Sequence, residues 1–235
     1  MNRNITFLNN KLCPGIKLLV CDMAGTTVNE KGIVYNTLYS SLKKVNERMT
    51  RSDIDNWYGI NKNAVISHFI KEKYSGGEAM EMTLKVNKEF NNSLEEQYFY
   101  GESIELIDPE LPNYLTTLRE KGVKIGLNTG YSTRIQKAMI DNLGMNDYID
   151  DYISSEEVHY GRPYPYMIYH LMERLNITNI KDVAKIGDTV NDIREGVNAG
   201  CYQTIGVLSG AGTRESLELE SPNNIVDIIT DLKLD

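Results

Sequence analysis

Five short apolar runs alternate with helical patterns along this chain, and that alternation leaves few folds open. The runs fall at residues 16–21, 123–127, 182–186, 202–207 and 225–228. Each is too short and too continuously apolar for a surface helix and reads as a buried parallel strand. Helical patterns occupy 109–121, 132–143, 164–175 and 191–198. They stop at Gly122, at Gly144, beyond Leu175 and at Gly200, and the third is opened by Pro163 and Pro165. Glycine after a helix and proline at its start are the expected punctuation. Strand–helix alternation of this kind predicts an α/β fold built on a doubly wound parallel sheet.

Residues 29–103 break the rhythm. Met82, Val86, Phe90, Leu94 and Tyr98 recur every four residues, the stripe of a long amphipathic helix. Residues 35–49, 51–57 and 62–74 also read as helical, and no strand is expected in the stretch. It is therefore an all-helical insert, residues 29–103, in a core made of 1–28 and 104–235. The joins fall near 29–32 and 101–108, both rich in turn formers.

With 25 Lys+Arg against 33 Asp+Glu, the net charge is -8. That offers no footprint for nucleic acid or an anionic membrane. The run at 16–21 is too short for a membrane span or the apolar part of a signal peptide. Three cysteines, Cys13, Cys21 and Cys201, form no disulfide framework and suit a reducing compartment. The expectation is a cytoplasmic enzyme, monomer or homodimer, acting on a small molecule.

The polar residues at the strand ends carry the chemistry, because open parallel sheets bind ligands there. The first strand runs into Asp22-Met23-Ala24-Gly25-Thr26-Thr27, whose Gly25, Thr26 and Thr27 can offer N–H and hydroxyl groups to a phosphate. The second ends in Asn128-Thr129-Gly130-Tyr131, again a hydroxyl followed by glycine. Gly161-Arg162-Pro163 precedes a helix, and the planar fork of Arg162 suits phosphate or carboxylate. A further strand ends in Gly187-Asp188-Thr189-Val190-Asn191-Asp192, a carboxylate pair four apart that suits Mg²⁺ with water still bound. Each signal alone has an ordinary reading as a turn, a surface arginine or a helix-start aspartate. Together and in this order they are specific.

In that order these motifs resemble the haloacid dehalogenase superfamily from about Lys17 to Leu208, with a helical cap inserted after the first motif. The resemblance implies a Rossmann-like core, Asp22 as a nucleophile that forms an aspartyl phosphate, and Thr129 as the phosphate-binding hydroxyl. It also implies Arg162 where most members carry lysine, and Mg²⁺ held by Asp22, the Ala24 carbonyl and Asp188, with Asp192 nearby. Thr26, Thr129, Gly130, Arg162 and Lys62 are the expected substrate contacts.

One departure steers the reading. Phosphatases of the superfamily carry a second aspartate, the general acid and base, where this chain has Ala24. That role is typically worth about 10²–10⁴-fold. The Asp-x-Ala-Gly-Thr-Thr and Gly-Arg-Pro patterns resemble phosphonoacetaldehyde hydrolase and the phosphonatase-like hydrolases, in which a cap lysine forms a Schiff base with the substrate aldehyde. Lys62, 40 residues after Asp22, matches the position, and it shares a helix face with Val65, Ile66 and Phe69. Desolvation there would free its amine. The ordinary alternative is a lysine stem lying on apolar surface with its charge in water. Val65 stands where phosphonoacetaldehyde hydrolase has a cap histidine, with His68 one turn on, and Tyr160 stands where it tends to have cysteine, so the looser phosphonatase-like group fits better. His159 and His170 are expected to be structural or exposed, and Trp57 and Cys21 core. The expected function is an Mg²⁺-dependent hydrolase of a small phosphorylated or phosphonate compound, extending to P–C bond cleavage. The alternatives are a small-metabolite phosphatase and a non-catalytic phospho-ligand sensor; a dehalogenase would not need the Asp188 segment.

Overall fold

A computed structural model describes residues 10–99 and 104–233. Its core is a six-stranded sheet whose neighbouring strands all pair in parallel. Along the chain the strands are β1 (Leu18–Asp22), β4 (Lys124–Thr129), β5 (Asp151–Ser154), β6 (Val183–Gly187), β7 (Gln203–Val207) and β8 (Asn224–Val226). Their spatial order is β5-β4-β1-β6-β7-β8, so the first strand lies centrally and the chain winds outward both ways. Register places Cys21 opposite Leu127 and Ile186, so Asp22, Thr129 and Asp188 leave one edge of the sheet side by side.

The helices α4 (Leu111–Glu120), α5 (Thr133–Asn142), α6 (Tyr166–Arg174), α7 (Val190–Ala199) and α8 (Arg214–Glu218) connect the core strands. Pro112 sits in the first turn of α4, where a missing N–H costs nothing. Ser132 caps α5, and Thr189 with Asp192 forms a capping box on α7. Two apolar layers flank the sheet, one around Leu19, Leu127 and Ile205, the other around Leu18, Val20 and Leu171.

Between β1 and α4 stand the insert helices α1 (Ile33–Lys43), α2 (Lys62–Lys71) and α3 (Gly76–Phe99), with α3 packed on both others and on α5. The expected long helix is α3, and its stripe residues Val86, Phe90, Leu94 and Tyr98 are buried. The two joins run together as a small antiparallel ribbon, β2 (Val28–Asn29) with β3 (Glu105–Leu106). Residues 101–103 of the expected second join lie outside the described residues.

Four details differ from the sequence expectation. Residues 51–57 form a 3₁₀ turn rather than an α-helix, opened by Thr50 and Asp53, whose side chains satisfy each other's backbone N–H. The first insert helix ends at Lys43 rather than near residue 49. Asn29, first residue of the insert in which no strand is expected, pairs within the strand Val28–Asn29. The edge strand β5 was not expected: Asp151-Tyr152-Ile153-Ser154 has one aliphatic residue, and only Ile153 and Ser154 are buried.

Leu127 is wholly buried at the centre of β4. Leu127→Ala should lower unfolding free energy by about 2–5 kcal/mol, read as a drop in urea midpoint at unchanged slope.

Candidate active site

The site forms where loops after β1, β4 and β6 meet α2 of the insert. One cavity is lined by Asp22, Ala24, Tyr35, Gly59, Lys62, Thr129, Gly130, Tyr131, Arg162, Asp188 and Thr189. Of the sequence-selected residues, seven therefore meet: Asp22, Ala24, Lys62, Thr129, Gly130, Arg162 and Asp188. Asp192 lies behind Arg162. Thr26 does not line the cavity, and its hydroxyl is buried without a hydrogen-bond partner. Gly25 adopts φ +83°, and a Cβ there would stand 2.6 Å from Asp188 Oδ2, so the loop after β1 can approach Asp188 only without a side chain.

Arg162 organises the floor. It is 4% exposed. Its Nη1 lies 2.7 Å from Asp22 Oδ1 and 3.2 Å from Asp192 Oδ1, and its Nε lies 3.2 Å from Glu195 Oε2. Its Nη2 donates to both Asn128 oxygens, at 2.9 and 2.6 Å. Burial works against this charge, but Asp192, Asp22 and Glu195 outweigh it and hold the guanidinium protonated. Lys185 lies beneath, wholly buried, 2.9 Å from Asp192 Oδ1 and 2.9 Å from Asn128 Oδ1. Burial pushes the Asp22 carboxyl up against the pull of Arg162, whereas for Asp192 the attraction of Arg162 and Lys185 exceeds burial and the carboxyl is held low.

Asn128, Lys185 and Glu195 were not selected from sequence. Lys185 alone left a signal, a charge inside the otherwise apolar run Val183-Ala184-Lys185-Ile186. Glu195 looks like any helical glutamate until α7 turns it under the sheet, where Asn128 donates to both its oxygens.

The donor set fits a hard divalent cation. One carboxylate oxygen each of Asp22, Asp188 and Asp192 lies within 4.8 Å of the others, all buried. Asp188 accepts from the Ala211 N–H through Oδ2, while its buried Oδ1 has no hydrogen-bond partner. Burial, then Asp22 and Asp192, push the Asp188 carboxyl well up. Asp192 is already held by Arg162, Lys185 and the Thr189 hydroxyl, so Asp22 and Asp188 are the freer donors.

Lys62 enters from above as the first residue of α2, 6% exposed. Its Nζ donates to the Ile60 carbonyl at 2.8 Å and lies 4.8 Å from the Tyr35 ring centre. Burial and then Arg162 push its pKa down from 10.5 to about 8, while Asp22, Glu30 and Asp188 pull the other way. The insert histidine, His68, packs its ring at a tilt against Trp57, with centres 4.4 Å apart, and is exposed, away from the cavity. His159 and His170 are exposed and Cys21 is buried.

A family model described as haloacid dehalogenase-like hydrolase matches residues 16–200. A phosphonoacetaldehyde hydrolase of Bacillus cytotoxicus is 36% identical over 126 residues, 49% of this chain and 47% of the relative. One of Parabacteroides distasonis is 40% identical over 105 residues, 43% and 39% of the two chains. The matched region thus spans about half or less of the length of these relatives. Among solved structures, a phosphonoacetaldehyde hydrolase-like protein from Oleispira antarctica superposes with a TM-score of 0.76 at 19% identity, covering 96% of this chain and 93% of that one. A hydrolase from Pseudomonas syringae gives 0.77 at 18%, covering 92% and 95%. No helix among the described residues is long and apolar enough to cross a membrane.

The buried lysine should matter far more than a surface one. Lys185→Met strands the carboxylates of Asp192 and Glu195 and should cost about 3–5 kcal/mol in urea unfolding. Lys17→Met removes only the half-exposed pair with Asp182 and should cost less than about 1 kcal/mol.

Proposed function

The chain belongs to the haloacid dehalogenase-like hydrolase family, and we propose that it is a phosphonatase-like member that cleaves the P–C bond of a small aldehyde phosphonate such as phosphonoacetaldehyde. The observation that carries this reading is a buried lysine with a depressed pKa in the same cavity as Asp22, where Ala24 offers no acid. The relatives named phosphonoacetaldehyde hydrolase, matched over about half or less of their length, support it. In this reading residues 29–103 are the cap and residues 1–28 and 104–235 the catalytic core.

Lys62 Nζ adds to the substrate carbonyl, and loss of water gives an iminium. Asp22 attacks phosphorus, the P–C bond breaks, and its electrons pass into the iminium as an enamine. No alkoxide leaves, so no carboxylic acid is needed at position 24. Protonation of the enamine and hydrolysis release the aldehyde and restore Lys62. Water then hydrolyses the aspartyl phosphate, returning Asp22 and inorganic phosphate. The phosphonyl group competes with Asp22 for Arg162 Nη1, and Thr129 adds a hydroxyl to its cradle. Mg²⁺ held by Asp22, Asp188 and the Ala24 carbonyl would offset charge on the phosphonyl oxygens.

Three outcomes test the reading. Borohydride added during turnover of phosphonoacetaldehyde should fix the substrate carbon skeleton on Lys62, located by peptide mass. Lys62→Arg keeps the charge but cannot form the imine, and should abolish P–C cleavage, whereas Asp22→Asn should abolish turnover and still allow the trapped imine. The amine must be neutral to attack, so kcat/KM should rise tenfold per pH unit below about 8 and level off above it. An ordinary lysine would carry the rise to about 10.4. Efficient hydrolysis of phosphate esters, unaffected by Lys62→Arg, would leave a small-metabolite phosphatase instead.

A further inference from the structure

We propose that Ser155, on the core, is a positioning residue for Lys62, acting through Asn61 at the start of the helix that carries the lysine. The inference rests on the reading of Lys62 as the amine nucleophile, but its geometry stands apart from that chemistry.

Asn61 has two engagements. Its Oδ1 accepts the Ala64 N–H at 3.0 Å and so caps α2, fixing where the helix begins. Its Nδ2 donates to Ser155 Oγ at 2.7 Å, across 94 residues of sequence. The side chain that defines the first turn of α2 is therefore the side chain that ties that turn to the core. Lys62 is the next residue, so its amine follows the same anchor.

The neighbours of Ser155 make the anchor rigid. Ser155 is 5% exposed. Ser154 Oγ donates to the Tyr131 carbonyl, and Glu156 accepts the Thr133 N–H at 3.0 Å and Asn63 Nδ2 at 3.3 Å. Three consecutive residues thus tie the loop after β4 to the first turn of α2. A Cβ on Gly161, the residue before Arg162, would stand 2.9 Å from Ser155 Cβ, and one on Gly130 would stand 2.9 Å from the Ile60 carbonyl that holds Lys62 Nζ. Ser155 is therefore a point at which the segment carrying Lys62 meets the core loop that carries Arg162, beside the contacts of Gly130 with Ile60 and of Glu156 with Asn63. The separation between amine and phosphonyl subsites is set there and not by α2 alone.

The test uses the full chain and four variants. Ser155→Ala removes the acceptor. Asn61→Ser keeps a helix cap but is too short to reach Ser155. Asn61→Asp keeps the cap and can accept from the Ser155 hydroxyl, so it serves as the conservative rescue. The double variant Ser155→Ala with Asn61→Ser closes a cycle. The first readout needs no substrate: reductive methylation by formaldehyde and cyanoborohydride, with Lys62 measured against Lys17 by peptide mass. Ser155→Ala and Asn61→Ser should each raise Lys62 labelling about five-fold, the scale of one net hydrogen bond. The double variant should go no further, and Asn61→Asp, whose carboxylate also favours the ammonium of Lys62, should label no more than wild type. The second readout is single-turnover P–C cleavage, which should fall in the same variants while the thermal midpoint drops by no more than about 2–4 °C. Wild-type labelling in Ser155→Ala and Asn61→Ser, or additive effects in the double variant, would overturn the inference. Labelling that responds as expected in a protein that never cleaves the phosphonate would retain the positioning role and discard the proposed function.

Discussion

The site depends on where Arg162 finds its carboxylates. A parallel sheet gathers Asp22 and Asp188 at adjacent strand ends, and α7 brings Asp192 and Glu195 beneath them. None of the four has water enough to screen it. Arg162 and Lys185 are the two cations buried among them, and Asn128 joins the pair by accepting from both. Two cations face four carboxylates, so full ionisation leaves two negative charges uncompensated. A protein interior does not tolerate that excess without a counter-ion or protons. Burial raises the Asp188 and Glu195 carboxyls, which favours protons, and the Asp188 Oδ1 without a hydrogen-bond partner is the oxygen that a divalent cation would take instead.

Arginine in place of lysine at position 162 follows from the same network. Its Nε reaches Glu195, its Nη2 reaches Asn128, and Nη1 alone points to Asp22. A guanidinium can fill three directions in one plane while presenting one nitrogen to the cavity; an ammonium on a flexible stem cannot. Lys185 approaches the same oxygens, Asp192 Oδ1, Asn128 Oδ1 and Glu195 Oε2, from beneath. The cationic edge of the cavity is consequently fixed before any ligand enters, which is the condition under which electrostatic stabilisation costs no reorganisation.

What could be read from sequence was what strand periodicity encodes. The four central strands and most helices are where apolar runs and glycine stops put them, so the polar residues closing those runs converge. The stretches that escaped are governed by pairing rather than by their own composition. β5 is an edge strand held by β4 on one side, with polar residues that no apolar count would select. The 3₁₀ turn at 51–57 is opened by a reciprocal Thr50–Asp53 cap, the same device that opens the α-helix α7, so this signal could not separate the two geometries. Lys185, Glu195 and Asn128 escaped because their role is to satisfy one another. A buried charge is intelligible only once its partner's place in space is known.

Lys62 illustrates how far local rules and function diverge. A cation in the first turn of a helix opposes the macrodipole, and a buried lysine without a carboxylate at bonding distance is unfavourable as an ammonium. Both penalties act on the charged form alone. The Ile60 carbonyl accepts one N–H from either the ammonium or the neutral amine, and the Tyr35 ring gives the ammonium only partial compensation. Arg162, held protonated by its three carboxylates, adds a repulsion that Lys62 could escape only by leaving the cavity. Burial first, and then the network that fixes Arg162, bring the pKa of Lys62 down to about 8. In the proposed P–C cleavage, a single arrangement of buried charge would serve the phosphonyl group on one side and the carbonyl carbon on the other.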